Sequence, residues 1–187
     1  MEITLQEKEV LLKTARNFIE VSLDETVKLF EPDLKSELLH EHHGAFVTLT
    51  EAGNLRGCIG YIISEQPLLQ TIRDAAYGAA FEDPRFPKLS PEQLEMCDVE
   101  ISVLSKPFPI NSYDEIIIGK HGLIVTEGFK RGLLLPQVPV EHHLNRDQYL
   151  SALCQKAGIY PEYWKEKKLD LEGFTAEVFS EKDLEKK

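Results

Sequence analysis

Residues 46–63 read FVTLTEAGNLRGCIGYII. Two apolar, β-branched runs flank Glu51-Ala52-Gly53-Asn54, and Gly53 and Asn54 tolerate the positive φ of a tight turn, so the spacing predicts a β-hairpin. The second run, Leu55-Arg56-Gly57-Cys58-Ile59-Gly60, carries two glycines, which inside a strand mark a bulge or a close approach of another backbone. With a period of two, Arg56 and Cys58 point to one side while Leu55 and Ile59 reach the core. A guanidinium beside a thiol favours the thiolate. That pattern makes Cys58 a candidate reactive or ligand-holding group and Arg56 an anion clamp. The plainer alternative is a small cysteine packed in a tight sheet.

Working outward, Thr4 and Glu7 form a capping box. Apolar residues from Leu5 to Leu23 share one face, which predicts a helix over about residues 5–29 that Pro32 ends. A short helix is predicted over residues 34–40. After Pro67, the Ala-rich face of Leu68, Ile72, Ala75, Ala76 and Ala79 predicts a helix closely approached by a neighbour. Ser90-Pro91-Glu92-Gln93 caps another short helix, and Val99, Ile101 and Val103 alternate with polar residues as a strand with one buried face. A second hairpin is read around Glu127-Gly128-Phe129-Lys130. Asn145 caps a helix running to Lys156, with Gly158 past its end. Pro161 begins a helical turn, Phe174, Ala176 and Val178 mark a last strand, and the charged tail 181–187 is expected to fray. Helices interspersed with antiparallel strands give an α+β fold.

The chain has 187 residues and a formal net charge of −11, which argues against nucleic-acid and anionic-membrane binding, where Lys and Arg dominate. Cys58, Cys97 and Cys154 are widely spaced, with no CxxC pair, so neither a disulfide scaffold nor a cysteine-rich zinc or iron–sulfur site is expected. With no long apolar run, the chain reads as reduced, soluble and cytoplasmic.

Other segments hold candidate chemistry. Asp83-Pro84-Arg85-Phe86-Pro87 is a stiff loop in which Asp83 and Arg85 either orient a polar ligand or pair with each other. His121 stands between Gly119 and Gly122 as a turn that presents an imidazole. Leu133 to Glu141 reads as a buried strand interrupted by two prolines, in which Gln137 and Glu141 need partners. His40, His42 and His43, and the pair His142-His143, lack the H-E-x-x-H spacing, so no metal site and no cofactor is assigned. Nucleophile-elbow, P-loop and dinucleotide fingerprints are absent.

LRGCIG at 55–60, DPRFP at 83–87, VEISVLS at 99–105, GKHGL at 119–123, GLLLPQV at 132–138 and CQKAG at 154–158 occur in that order. Together they resemble the AMMECR domain, also called AmmeMemoRadiSam system protein A, over about residues 45–179. The resemblance implies an α+β domain of two lobes with antiparallel sheets, occupying residues 1–187 as a single domain. It also implies association with a Memo-like protein and a radical SAM protein, and it implies no established reaction. Carried over by position, the suspected site comprises Arg56, Gly57, Cys58 and Gly60, with Asp83, Arg85, His121 and Gln137 as secondary candidates.

Two functions follow as expectations. In the first, the chain handles substrate in a modification pathway, with Cys58 as nucleophile, Arg56 as its electrostatic partner and His121 as general base. In the second, it is a non-catalytic binding module for a partner or ligand. Because Arg56 and Arg85 fall in an otherwise acidic chain, a small anionic ligand is favoured over a polymer.

Overall fold

The computed structural model describes residues 2–33 and 35–185. In chain order its elements are α1 (Leu5–Leu23), β1 (Ala45–Glu51), β2 (Asn54–Tyr61), α2 (Leu68–Phe81), α3 (Pro91–Met96), β3 (Cys97–Leu104), β4 (Phe108–Pro109), β5 (Gly122–Glu127), β6 (Lys130–Leu134), α4 (Val138–Glu141), α5 (Arg146–Lys156), α6 (Tyr163–Glu166), β7 (Asp170–Phe174), β8 (Ala176–Ser180) and α7 (Glu181–Glu185). Short 3₁₀ turns lie at Leu38–His40 and Tyr113–Glu115. The chain divides into two units, residues 1–104 with 177–187 and residues 105–176. The fold is α+β, with two four-stranded sheets flanked by helices.

In the first unit the sheet order is β2-β1-β3-β8, with β1 antiparallel to both β2 and β3. Val47 and Leu49 of β1 and Val99, Ile101 and Val103 of β3 bury one face against Leu11, Leu12, Ala15 and Ile19 of α1 and Ile72, Ala75, Ala76 and Ala79 of α2. Each Leu or Ile fully removed from water there contributes roughly 1.5–3 kcal/mol. The alanines of α2 let its backbone come close to β2. A side chain on Gly78 would meet Ile59 Cγ2 at 2.7 Å.

Three boundaries differ from the sequence expectation. The first helix stops at Leu23, because the Asp24 carboxylate accepts from the Thr26 N–H at 2.8 Å and turns the chain. Of the helix expected over residues 34–40, only the turn at Leu38–His40 forms, and Leu34 lies outside the described residues. The segment expected to fray is instead α7. Its first residue, Glu181, pairs with Arg16 and accepts from the Val99 N–H at 2.9 Å, while residues 186 and 187 lie outside the described residues.

In the β1–β2 turn the positive φ falls on Ala52 (49°) and Gly53 (81°), not on Asn54. A non-glycine residue there is strained, and Asn tolerates that region better than Ala. Ala52→Asn is therefore expected to raise stability by about 0.5–1 kcal/mol in urea unfolding.

The second unit has sheet order β4-β7-β5-β6, with the β4–β7, β7–β5 and β5–β6 pairs all antiparallel. Its core joins Leu123, Val125 and Leu171 to Tyr149, Leu150, Leu153 and Cys154 of α5. The last predicted strand is two: β7 ends at Phe174 and β8 begins at Ala176, in different sheets. Thr175 between them is tied to Ser105, whose N–H donates to the Thr175 carbonyl at 2.8 Å and whose hydroxyl accepts the Thr175 N–H at 2.9 Å. No helix among the described residues is long and apolar enough to cross a membrane.

Candidate functional site around the Cys58 strand

The register of the β1–β2 hairpin places the thiol. Glu51 faces Asn54 and Thr50 faces Leu55, but Leu49 faces Gly57 and Thr48 faces Cys58, so the ladder skips Arg56. This is a β-bulge. It breaks the alternation that would put Arg56 and Cys58 on one face. Without it Cys58 would face Val47, on the side packed against the helices. With it, Cys58 joins the face that carries Thr48 and Thr50, and its Sγ accepts from the Thr48 hydroxyl at 3.3 Å.

The bulged Arg56 is only 6% exposed. Its Nη2 donates to the Pro87 carbonyl at 2.8 Å and to Gln93 Oε1 at 3.0 Å. Its guanidinium lies 5.9 Å from the centre of the Phe86 ring, and Nη1 is buried without a hydrogen-bond partner. Gln93 also closes the Ser90 capping box of α3, so Arg56 ties β2 to the start of that helix.

β2 is an edge strand, and the loop at residues 83–87 covers that edge. Asp83, 5% exposed, accepts the Cys58 N–H at 2.9 Å. Arg85 clamps Asp83 through Nε (2.9 Å) and Nη2 (2.7 Å), and Nη2 also reaches the Cys58 carbonyl at 3.4 Å. The Arg85 guanidinium is the largest cause holding the Asp83 carboxyl well below the usual carboxylate range, with the Cys58 and Arg85 N–H groups adding to it. Gly57 faces α2, where a methyl group would overlap the Ala79 carbonyl oxygen, and Gly60 faces Phe46, which covers it.

The sheet face bearing Cys58 also carries two groups that the sequence reading missed. Thr48 pairs with Cys58 in β2 and with Glu100 in β3, so the three side chains form one row across three strands. All three are half-buried. The register alone reveals this row, and the register depends on the bulge. The other thiols differ, since Cys97 and Cys154 are buried and burial pushes both pKa values up.

His121 and Gln137 lie in the second unit. His121 is 8% exposed, with Nδ1 accepting the Ile117 N–H at 3.3 Å and the Phe108 ring edge-on at 5.4 Å. Burial, and then the Lys120 charge, lower its pKa below the ordinary value. A histidine held neutral in the fold contributes stability above its unfolded pKa of about 6.5, and that contribution is lost as pH falls. Stability is expected to fall as pH drops below about 6.5, and His121→Asn, which retains an acceptor near Nδ1, should flatten that limb in urea titrations across pH. The segment expected as a buried strand through Glu141 instead ends at Leu134 and turns into α4, because Pro136 and Pro139 cannot donate to a ladder. Gln137 stands at the start of α4, and both it and Glu141 are exposed. Among the described residues no three His, Cys, Asp or Glu side chains are grouped to hold a metal ion.

An α+β chain of two sheets, with a bulged cysteine strand locked under a DPRFP loop, defines the class. The AMMECR1 family model matches residues 12–179, and the chain belongs to that family. A protein of Methanothermobacter thermautotrophicus is 40% identical over 185 residues, covering 96% of each chain. Protein MJ0810 of Methanocaldococcus jannaschii is 38% identical over 187 residues, covering 96% of this chain and 92% of its own. The crystal structure of uncharacterized protein PH0010 from Pyrococcus horikoshii superposes with a TM-score of 0.80 at 38% identity, covering 97% of this chain and 94% of that one.

Proposed function

We propose that this AMMECR1-family chain handles a substrate through Cys58, in a modification pathway shared with a Memo-like protein and a radical SAM protein. One observation carries the reading. Cys58 is the half-exposed thiol of the three, it sits on the sheet face away from α1 and α2, and its main chain is fixed by Asp83 and Arg85. A thiol kept accessible on a rigid strand suits chemistry or capture better than packing. The site lies on the sheet face. An open groove of 590 Å³ in the same unit is lined by Lys13, Arg16, Cys97 and Glu181 among others, and residues 55–60 do not line it.

The test is alkylation with iodoacetamide from pH 5 to 9, read by intact mass and peptide mapping. One label on Cys58 is expected, absent in Cys58→Ala, with Cys97 and Cys154 unlabelled in the folded protein. A Cys58 that stays unlabelled below pH 8 overturns the reading.

A second reading, a non-catalytic binding module, is favoured by the engagement of Arg56 with the Pro87 carbonyl and of Arg85 with Asp83, which leaves neither guanidinium free beside the thiol. Arg85, with its side chain 55% exposed, is the residue to vary, since Arg56 is buried. If the module reading holds, Arg85→Ala weakens capture of the Memo-like or radical SAM protein while Cys58→Ser leaves it intact.

A further inference from the structure

The row formed by Cys58, Thr48 and Glu100 has a chemical logic of its own, resting on the role of Cys58 proposed above. Residues directly opposite in antiparallel strands have Cβ atoms about 4.5–5.5 Å apart, so Thr48 touches the positions on both sides. Cys58 and Glu100 are then two strand spacings apart, roughly 9–10 Å between main chains, with the short Thr48 side chain between them. All three side chains are half-buried, so this stretch of the face is partly open to solvent. The Thr48 hydroxyl donates to sulfur at one end. At the other end, the Glu100 side chain has no hydrogen-bond partner among the described residues, and the carboxylates that act on it are Asp98 and Asp183, Asp98 itself being paired with Lys182. The charged group next to Cys58 is Arg85.

We propose that these three residues form a subsite at which Cys58 takes a small neutral electrophile in preference to an anionic one. The electrophilic carbon meets Cys58, and the Glu100 carboxylate across Thr48 repels a negatively charged reagent. Burial, then the charges of Asp98 and Asp183, raise the Glu100 pKa, so that repulsion sets in at higher pH than for an ordinary carboxyl. An anionic electrophile is disfavoured once Glu100 ionises.

Iodoacetamide and iodoacetate separate these cases. Both alkylate by the same step, in which the sulfur–carbon bond forms as the carbon–iodine bond breaks and iodide leaves, the thiol proton having gone to solvent. They differ in carrying a neutral amide or a carboxylate. In the full chain, the ratio of the iodoacetamide to the iodoacetate rate at Cys58 is expected to rise with pH. Glu100→Gln should raise the iodoacetate rate at pH 8 by about three- to tenfold and leave the iodoacetamide rate within about twofold. Thr48→Val, which removes the donor to sulfur, should slow both reagents roughly fivefold at pH 7. A general structural disturbance would move both reagents together in Glu100→Gln, and that outcome, or no change in either, overturns the subsite while leaving the proposed role of Cys58 standing. If neither reagent labels Cys58 in the wild type, both readings fall.

Discussion

Gly57→Ala is expected to destabilise the protein by about 2–4 kcal/mol, more than glycine-to-alanine changes usually do. In a strand interior, alanine ordinarily gains roughly 0.5–1 kcal/mol over glycine through lower unfolded-state entropy. Here the added methyl would overlap the Ala79 carbonyl oxygen, which is backbone of α2 and cannot rotate away. To admit it, α2 or the bulged strand must shift. Ala75, Ala76 and Ala79 are already at or near zero exposure, so such a shift opens voids across the core. Urea unfolding measures the loss, and a variant within 0.5 kcal/mol of wild type would show that the close approach is not what selects glycine there. Iodoacetamide labelling of the same variant adds a second readout, because a displaced strand also displaces Cys58.

Asp83→Ala should cost about 2 kcal/mol, in the range for leaving a hydrogen-bond donor without its buried acceptor. It leaves the Cys58 N–H without its acceptor and Arg85 without its partner. Arg85→Ala should cost less, about 1 kcal/mol or below, because the guanidinium is largely in water and Asp83 keeps the Cys58 N–H. The pH dependence has a definite sign. Asp83 is held below its unfolded pKa of about 4, so its contribution is present above that pH and is lost as pH falls further. Wild type should therefore show a steeper acid limb than Asp83→Ala, read as urea midpoints between about pH 5 and 2. Parallel limbs in the two proteins would show that Asp83 is no better stabilised folded than unfolded.

Much of the architecture is legible in local patterns. The capping boxes at Thr4, Ser90 and Asn145 all form, since each needs only residues three apart. Both hairpins and the Ala-rich helix against a glycine strand follow from composition. What local pattern could not supply is register. Counting back from the turn without a bulge would pair Cys58 with Val47, and the skip at Arg56 pairs it with Thr48. Sequence flags a bulge through Gly57 and Gly60 but not which residue is extra. For the same reason the alternation over residues 99–103 marks Glu100 only as a polar position of a strand. Gln137 failed differently. An apolar run with two prolines resembles an interrupted strand, whereas Pro139 sits comfortably in the first turn of α4. The split of β7 from β8 at Thr175 left no mark either, because alternation continues smoothly across two sheets.

The division of the first unit into residues 1–104 and 177–187 bears on how the chain is made. A ribosome delivers α1, the β1–β2 hairpin and β3 first, yet β8 and α7 only after all of residues 105–176 have emerged. At about 5–20 residues per second, β3 waits roughly 4–15 s with one edge open and Arg16 without Glu181. The later-encoded unit can therefore be complete before the earlier one. The nascent chain spends that interval exposed to strand pairing with its neighbours, an interval in which chaperone binding protects the yield.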